Sequence, residues 1–296
     1  MKNFKFFDSS KPWYKGNLHT HTTVSDGRKS SDEAAAFFRG AGYDFICLTD
    51  HRKTGALPAI DGLLVIPGAE YDINDAKARS AWHITAINMA EPFDMAGVTT
   101  PGGIVANINK AGALAVLAHP AWSLLTHEGI MELRGLEAIE VFNGISEAYG
   151  NRGDSASYID ALASKGFIRP LLAVDDSHFY DKDALIGFTM VNTDDFTPDG
   201  VVDAIRAGRS YASQGPVIRQ ISINDGVVTV ECGPLKRICF MTDSFWDFDR
   251  VADCVNGEPI IRAEYKIKPS DTWLRVEGED FTGKKCWSNV IVVKER

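Results

Sequence analysis

The stretch "NLHTHTTVSDG", Asn17 to Gly27, sets His19 and His21 two residues apart. In an extended strand, residues i and i+2 share a face, so both imidazoles can reach one point. Imidazole nitrogen and carboxylate oxygen together suit zinc, manganese or iron. Such residues recur along the first two thirds of the chain. Asp26 lies in the same stretch, followed by Asp50 and His51, Glu70, His83, His119, and then Asp175, Asp176 and His178. Of seven histidines only His127 falls outside the series. Each residue alone reads as an ordinary polar group. As a set they point to a metal centre, provided the fold gathers them.

Seven short apolar runs carry or flank these residues: "NLHTHT", "FICLTDH", "LLVIPGAE", "WHITAIN", "LAVLAHP", "AIEVFNG" and "PLLAVDDSH". They are too short for helices and rich in β-favouring residues. All except "AIEVFNG" hold a metal-competent side chain, mostly at the C-terminal end. Helices are predicted between several of them. Ser30–Ala41 starts on a Ser30/Glu33 capping box and stops at Gly40 or Gly42. Gly153–Lys165 has Asp154 as its expected N-cap and Gly166 as its stop. Thr197–Ala207 opens on Thr-Pro and ends at Gly208. Alternating strands and helices predict a parallel sheet, and seven apolar strands predict a closed or nearly closed barrel with its active site at the C-terminal face. Beyond about Pro216 the pattern changes. "QISIND", "VVTVEC", "RICFMT", "IIRAEYKI", "WLRVEGED" and "NVIVVK" alternate apolar with polar residues. The expected organisation is therefore a barrel over residues 1–216 and a small all-β sandwich over 217–296.

Composition bounds the chemistry. The chain has 296 residues, 45% hydrophobic and 24% charged, enough for a large core. Its net charge of −9 argues against broad nucleic-acid or anionic-membrane binding. An anionic substrate stays compatible, because bound cations dominate the field of a site. "MKNFKFFDSS" is no signal peptide and no membrane span is visible. Five cysteines, an odd number without a CxxC pair, fit a reduced, cytoplasmic setting. No nicotinamide fingerprint, P-loop or GxSxG elbow is present.

In order, "HTH" (His19–His21), "SDG" (Ser25–Gly27), "LTDH" (Leu48–His51), "GAE" (Gly68–Glu70), His83, "AHP" (Ala118–Pro120) and "DSH" (Asp176–His178) fall within the stretch Asn17 to Gly215. This ordered set resembles the polymerase and histidinol phosphatase (PHP) family of metal-dependent hydrolases. The resemblance implies a distorted (β/α)7 TIM-like barrel with two or three divalent ions, Zn, Mn or Fe, at its C-terminal face. It implies one ion held by His19, His21, Glu70 and Asp176, and a second sharing Glu70 and adding His83 and His119. A third would use Asp26, His51 and His178. The family commonly has histidine where this chain has Asp26, which implies a harder or weaker third ion. The implied catalytic set is Glu70, Asp176, His178 and Asp50, with Asp50 orienting a ligand histidine, and Asp175 structural.

Clustered divalent ions generate a bridging hydroxide at neutral pH and stabilise phosphoryl charge. The leading expectation is a phosphoesterase acting on a small phosphorylated metabolite or nucleotide. The alternatives are a PHP-type hydrolase of a non-phosphate ester, amide or carbamate, and a non-catalytic metal-binding regulatory module. Arg28, Arg52, Lys53 and Arg209 are candidate anion binders, and Asn143 a candidate substrate contact. Tyr211, Ser213 and Gln214 are placed at the pocket from the domain junction. Trp82, Trp122 and Phe179 are candidates for ring stacking or core packing. "WSN" at Trp287–Asn289 reads as a structural strand.

Overall fold

The computed structural model describes residues 3–75, 77 and 79–294. In chain order the first elements are β1 (Phe4–Lys5), β2 (Trp13–Asn17), α1 (Ser31–Gly40), β3 (Phe45–Leu48), β4 (Leu64–Asp75), β5 (Ser80–Ile87) and α2 (Pro101–Lys110). Next come β6 (Leu114–Leu117), α3 (His127–Met131), β7 (Ala138–Asn143), α4 (Gly144–Gly150), α5 (Ala156–Ala163), β8 (Leu171–Val174), β9 (Phe188–Asn192), α6 (Pro198–Arg206) and β10 (Ser210–Ser213). The remainder is all β: β11 (Ile218–Asn224), β12 (Val227–Leu235), β13 (Arg237–Thr242), β14 (Val251–Asp253), β15 (Ile260–Lys266), β16 (Trp273–Glu279), β17 (Lys285–Ser288) and β18 (Ile291–Val292).

All seven apolar runs contribute strands, β2 to β8. Strands β3, β6 and β8 are buried at every position, as continuous apolar runs require. The helix signals act as expected at two starts. The Ser30 side chain accepts from the Glu33 amide while the Glu33 carboxylate accepts from the Ser30 amide. The Thr197 hydroxyl accepts from the Gly200 amide, and Gly208 ends α6 with φ at 72°. Helix α5 starts later than expected, after Ser155 rather than Asp154. Asp154 is held in a bridge to Phe142, and the Asn143 amide donates to the Gly153 carbonyl, so this stretch belongs to strand pairing.

The sheet is mixed rather than parallel. Strands β2, β3 and β4 are mutually parallel, as are β6, β7 and β8. Between them β5 runs antiparallel to both neighbours. Only four residues separate β4 from β5, too few for a crossover, so the pair must fold back as a hairpin. Strand β9, absent from the predicted runs, is antiparallel to β2 and β10. Beyond the ends of β2 and β8 the chain segments meet again. Thr20 bridges Ser177 in parallel, the His21 amide donates to the Ser177 carbonyl, and the Asp176 amide donates to the His19 carbonyl.

A separate antiparallel sheet, in the order β1-β11-β12-β15, faces β13, β16 and β17. Ile221, Val230 and Tyr265 from one side share a core with Phe240, Val276 and Cys286 from the other. Phe7 joins this core, and β1 pairs with β11, so the N-terminal segment packs with C-terminal strands. Strand β17 pairs with β10 and makes the large sheet continuous. Trp287 is fully buried against Phe142, and the Asn289 side chain bonds the Gly208 and Ser210 carbonyls and the Leu171 amide, so "WSN" is structural. No helix among the described residues is long and apolar enough to cross a membrane.

Candidate metal centre

The donors come from segments that leave the sheet at one end. His19 and His21 lie just past β2, in extended chain rather than in the ladder. The alternation still holds, because their Nε2 atoms are 3.1 Å apart. His51 follows β3 and bridges Glu70, which sits within β4. His83 lies in the first half of β5. Because β5 is reversed, that half faces the same end as the C-termini of the parallel strands. His119 follows β6, and Asp176 and His178 follow β8. His119 and Asp176 hold positive φ, 30° and 56°. Non-glycine residues rarely do so, at a cost of roughly 1–3 kcal/mol, and such strain concentrates at functional sites.

Donor atoms within 4.8 Å of one another form three groups: His19, His21 and Asp176; Glu70, His83 and His119; and His21, Asp26, His51 and His178. Asp176 Oδ1 lies 3.2 Å from Nε2 of both His19 and His21. Glu70 links the groups. Its carboxylate is 3.4 Å from His19 Nε2, 3.3 Å from His21 Nε2, 3.2 Å from His51 Nδ1 and 2.9 Å from His83 Nδ1. Asp26 is the most exposed member, 3.5 Å from His178 Nε2 and 3.6 Å from His51 Nε2. These residues fit divalent ions on a direct observation. Asp176 Oδ1 and His51 Nδ1 are buried with no hydrogen-bond partner, although carboxylate and imidazole partners stand close. Buried orphan acceptors are costly, and a cation between them removes that cost.

The ring orientations are fixed from behind. His19 Nδ1 lies 2.8 Å from Glu140, His119 Nδ1 lies 2.9 Å from Ser123 Oγ, and His178 Nδ1 lies 2.9 Å from the Asp176 carbonyl. Each contact leaves Nε2 free to face the centre, the arrangement that holds metal-ligating histidines elsewhere. Glu140 was missing from the sequence reading, which found no metal-competent residue in "AIEVFNG". It is 1% exposed and also accepts from the His119 amide and the Asn143 side chain. A carboxylate inside an apolar six-residue strand was the available signal, since burial demands a partner for it.

Asp50 differs from its expected role. Its carboxylate accepts from the amides and hydroxyls of Thr22 and Ser25, so it shapes the turn that presents Asp26 rather than touching a histidine. Asp175 accepts from the Leu185, Ile186 and Gly187 amides and is structural, as expected.

Burial works against charge at His19, His21, Glu70, His83 and Asp176, yet opposite charges prevail at each of them. Against that penalty, Asp176, Glu70 and Glu140 hold the His19 imidazole well above its ordinary pKa. The same opposition, won by Asp176 and Glu70, raises His21 to about 9. Glu70 stays well below the carboxylate range through His19 and His83, and Asp176 through His19, His21 and His178. At His51 burial wins and the pKa falls. The cluster thus balances its own charge with protons that a divalent ion must displace.

A cleft of 260 Å³ opens over the donors, lined by His51, Glu70, His83, His119, Asp176 and His178 on its floor and Trp122, Ile145, Ser146, Tyr149 and Phe179 above. Of the ring candidates, Trp122 and Phe179 face it, whereas Trp82 packs against the core beside Gly129. The expected substrate contacts mostly lie elsewhere. Asn143 is fully buried; its amide donates to Glu140 and Asp176 and its carbonyl oxygen caps α4, so it positions ligands. Arg52 pairs with Asp72 at 2.9 Å, and Lys53 reaches the Val24 carbonyl. Arg209 sits beside Asn192, which pairs with Trp13 at the start of β2, so it occupies the opposite end of the sheet. Tyr211 is buried edge-on to Trp13, Ser213 bonds the Pro216 carbonyl, and Gln214 accepts from Lys285, all away from the cleft. Arg28 stays near the mouth, its guanidinium 4.6 Å from the Phe179 ring centroid.

No protein-family model matches the chain, and no curated protein matches it. Solved structures do. A two-domain protein of Bacteroides vulgatus, assigned by prediction a PHP-like metal-dependent phosphoesterase part, aligns over 97% of this chain and 96% of its own, with 17% identity and a TM-score of 0.53. An amidohydrolase from Chromobacterium violaceum, with bound sulfate and no metal, aligns over 57% of this chain and 89% of its own, at 17% identity and a TM-score of 0.45. A candidate metal-dependent phosphoesterase from Bifidobacterium adolescentis aligns over 55% and 87%, at 15% identity and a TM-score of 0.42. Along nearly its whole length, the chain shares the fold of that two-domain protein.

Proposed function

We propose that the chain is a metal-dependent hydrolase, and more narrowly a phosphoesterase of small phosphorylated molecules. The observation that carries this reading is Asp176 Oδ1, buried, without a hydrogen bond, and 3.2 Å from two histidine nitrogens. We assign His19, His21, Glu70 and Asp176 to one ion, Glu70, His83 and His119 to a second, and Asp26, His51 and His178 to a third. Zinc, manganese and iron suit these nitrogen and oxygen donors. Such ions, when bound, supply an activated water and stabilise developing phosphoryl charge. The chain's own residues do the rest. Glu140, Ser123 and the Asp176 carbonyl aim Nε2 of His19, His119 and His178. Trp122 stands edge-on to His119 at 4.9 Å. His51 and His178 turn Nε2 toward Asp26 at the mouth and complete the donor set there.

The fold reading goes with it. We propose that β2 to β8 form a distorted (β/α)7 barrel, supported by the Thr20–Ser177 bridge beyond β2 and β8. We propose domain limits at 1–216 and 217–296, supported by the core of the C-terminal strands, with the Phe4–Phe7 segment of the first crossing over to pack with the second. The test of function is phosphate release by purified protein loaded with Zn, Mn or Fe, over phosphomonoesters and phosphodiesters. Release that a chelator abolishes supports the reading. Hydrolysis only of aryl esters or carbamates would replace it with the non-phosphate alternative, and no turnover of any substrate would leave a metal-binding module.

A further inference from the structure

The wall of the cleft differs in kind from its floor. Trp122, Tyr149 and Phe179 are 41%, 52% and 36% exposed, although large aromatic side chains normally gain from burial. They belong to one surface. The Tyr149 and Phe179 rings meet edge-on at 5.3 Å, and Gly150, beside Tyr149, has its Cβ position only 3.2 Å from Trp122. Among the described residues no lysine or arginine lines the cleft, and the nearby Arg28 guanidinium is stacked on Phe179. The wall therefore offers mainly flat apolar contact. Its volume of 260 Å³ is generous for one ring, given that a cavity of about 150 Å³ holds benzene.

We infer that the substrate joins its scissile phosphate to a planar, uncharged aromatic or heteroaromatic group of one or two rings, which packs on Trp122, Tyr149 and Phe179. This inference rests on the phosphoesterase reading and narrows it. Recognition divides between the two surfaces: the floor takes the phosphate charge, and the wall takes the ring. Sugar phosphates and bisphosphates gain little from such a wall.

The test needs no turnover. Binding of phenylphosphonate and of methylphosphonate to the metal-loaded protein is measured by calorimetry. Ring contact is expected to favour the phenyl compound about tenfold. Trp122→Leu and Tyr149→Leu are each expected to shrink that ratio severalfold. Tyr149 makes its side-chain hydrogen bond to Asp181 rather than to a candidate ligand, so the second variant stays informative if the first disturbs His119. Equal affinities in the wild type, or a ratio unchanged in both variants, would overturn the inference. A ring preference without phosphate release from any ester would instead overturn the phosphoesterase reading and keep the ring site.

Discussion

Two charge clusters among the described residues are built on opposite terms. Between α5 and β16, the fully buried Arg275 donates to both oxygens of Asp160 at 2.9 and 3.0 Å and to Glu277 at 3.0 Å. Lys285 extends the network to Glu277 and Asp154. Every charge there has hydrogen-bonded partners of opposite sign. At the candidate centre, Glu70 and Asp176 face six imidazoles, yet Asp176 Oδ1 and His51 Nδ1 find no hydrogen bond. The first cluster is complete within the chain and holds elements together. The second is complete only with something added. Satisfaction, rather than charge or burial, separates a structural network from a binding site.

Breaking the first cluster should cost the most. Arg275→Ala leaves Asp160 and Glu277 facing a void, and loss of one buried partner typically costs about 3–5 kcal/mol. A fall in melting temperature with unchanged metal content per folded molecule is expected; loss of metal would merge the two clusters into one. Asp176→Asn inverts that pattern. It keeps side-chain size and removes the orphan charge. Metal content should fall by at least one ion and hydrolysis by about 10²–10³-fold, with the fold retained by circular dichroism. Full metal content would break the contrast. Glu140→Gln is gentler, because it changes only what aims His19. Removing such an orienting carboxylate should weaken metal binding about 10–100-fold in a titration, and unchanged affinity would show that His19 needs no guide.

Legibility in the sequence follows the same division. Strands β2 to β8 and the starts of α1 and α6 were readable because apolar runs and caps are local signals. Nine candidate ligands were readable as residue types, and the fold gathers all nine at one end of the sheet. What failed depended on direction. The reversed course of β5, imposed by its short link to β4, was invisible to composition, although it brings His83 to the correct end. Arg209, Tyr211 and Gln214 were placed by closeness in sequence to the junction, but Arg209 falls at the opposite end of the sheet, Tyr211 packs into the C-terminal core and Gln214 accepts from Lys285. Asn143 was read as reaching outward, whereas its hydrogen bonds all point inward. Glu140 was missed because neutral strand residues surround it and only burial reveals the demand it makes.

The smallest effect is a pH dependence, and it separates the clusters by sign. In metal-free protein, His21 is raised to about 9 against its burial by Asp176 and Glu70, and His19 and His83 are raised as well. A raised imidazole contributes stability that is fully present below its unfolded value, near 6.5, and is lost as pH climbs through the folded value. His51, shifted downward, titrates below this window, and Asp175, pushed up by burial to about 7, is ionised before it ends. Metal-free protein should therefore lose several degrees of melting temperature between pH 7.5 and 9. Metal binding follows the opposite course, because fewer protons must leave the imidazoles as pH rises. The stabilisation on adding zinc should grow across the same interval, read as the gap between melting curves with metal and with chelator. The Arg275 network contains no histidine, so Arg275→Ala should lower both curves without changing the gap. A gap that narrows toward pH 9 would mean that the imidazoles are already neutral at pH 7.5 and that the carboxylates do not hold protons on them.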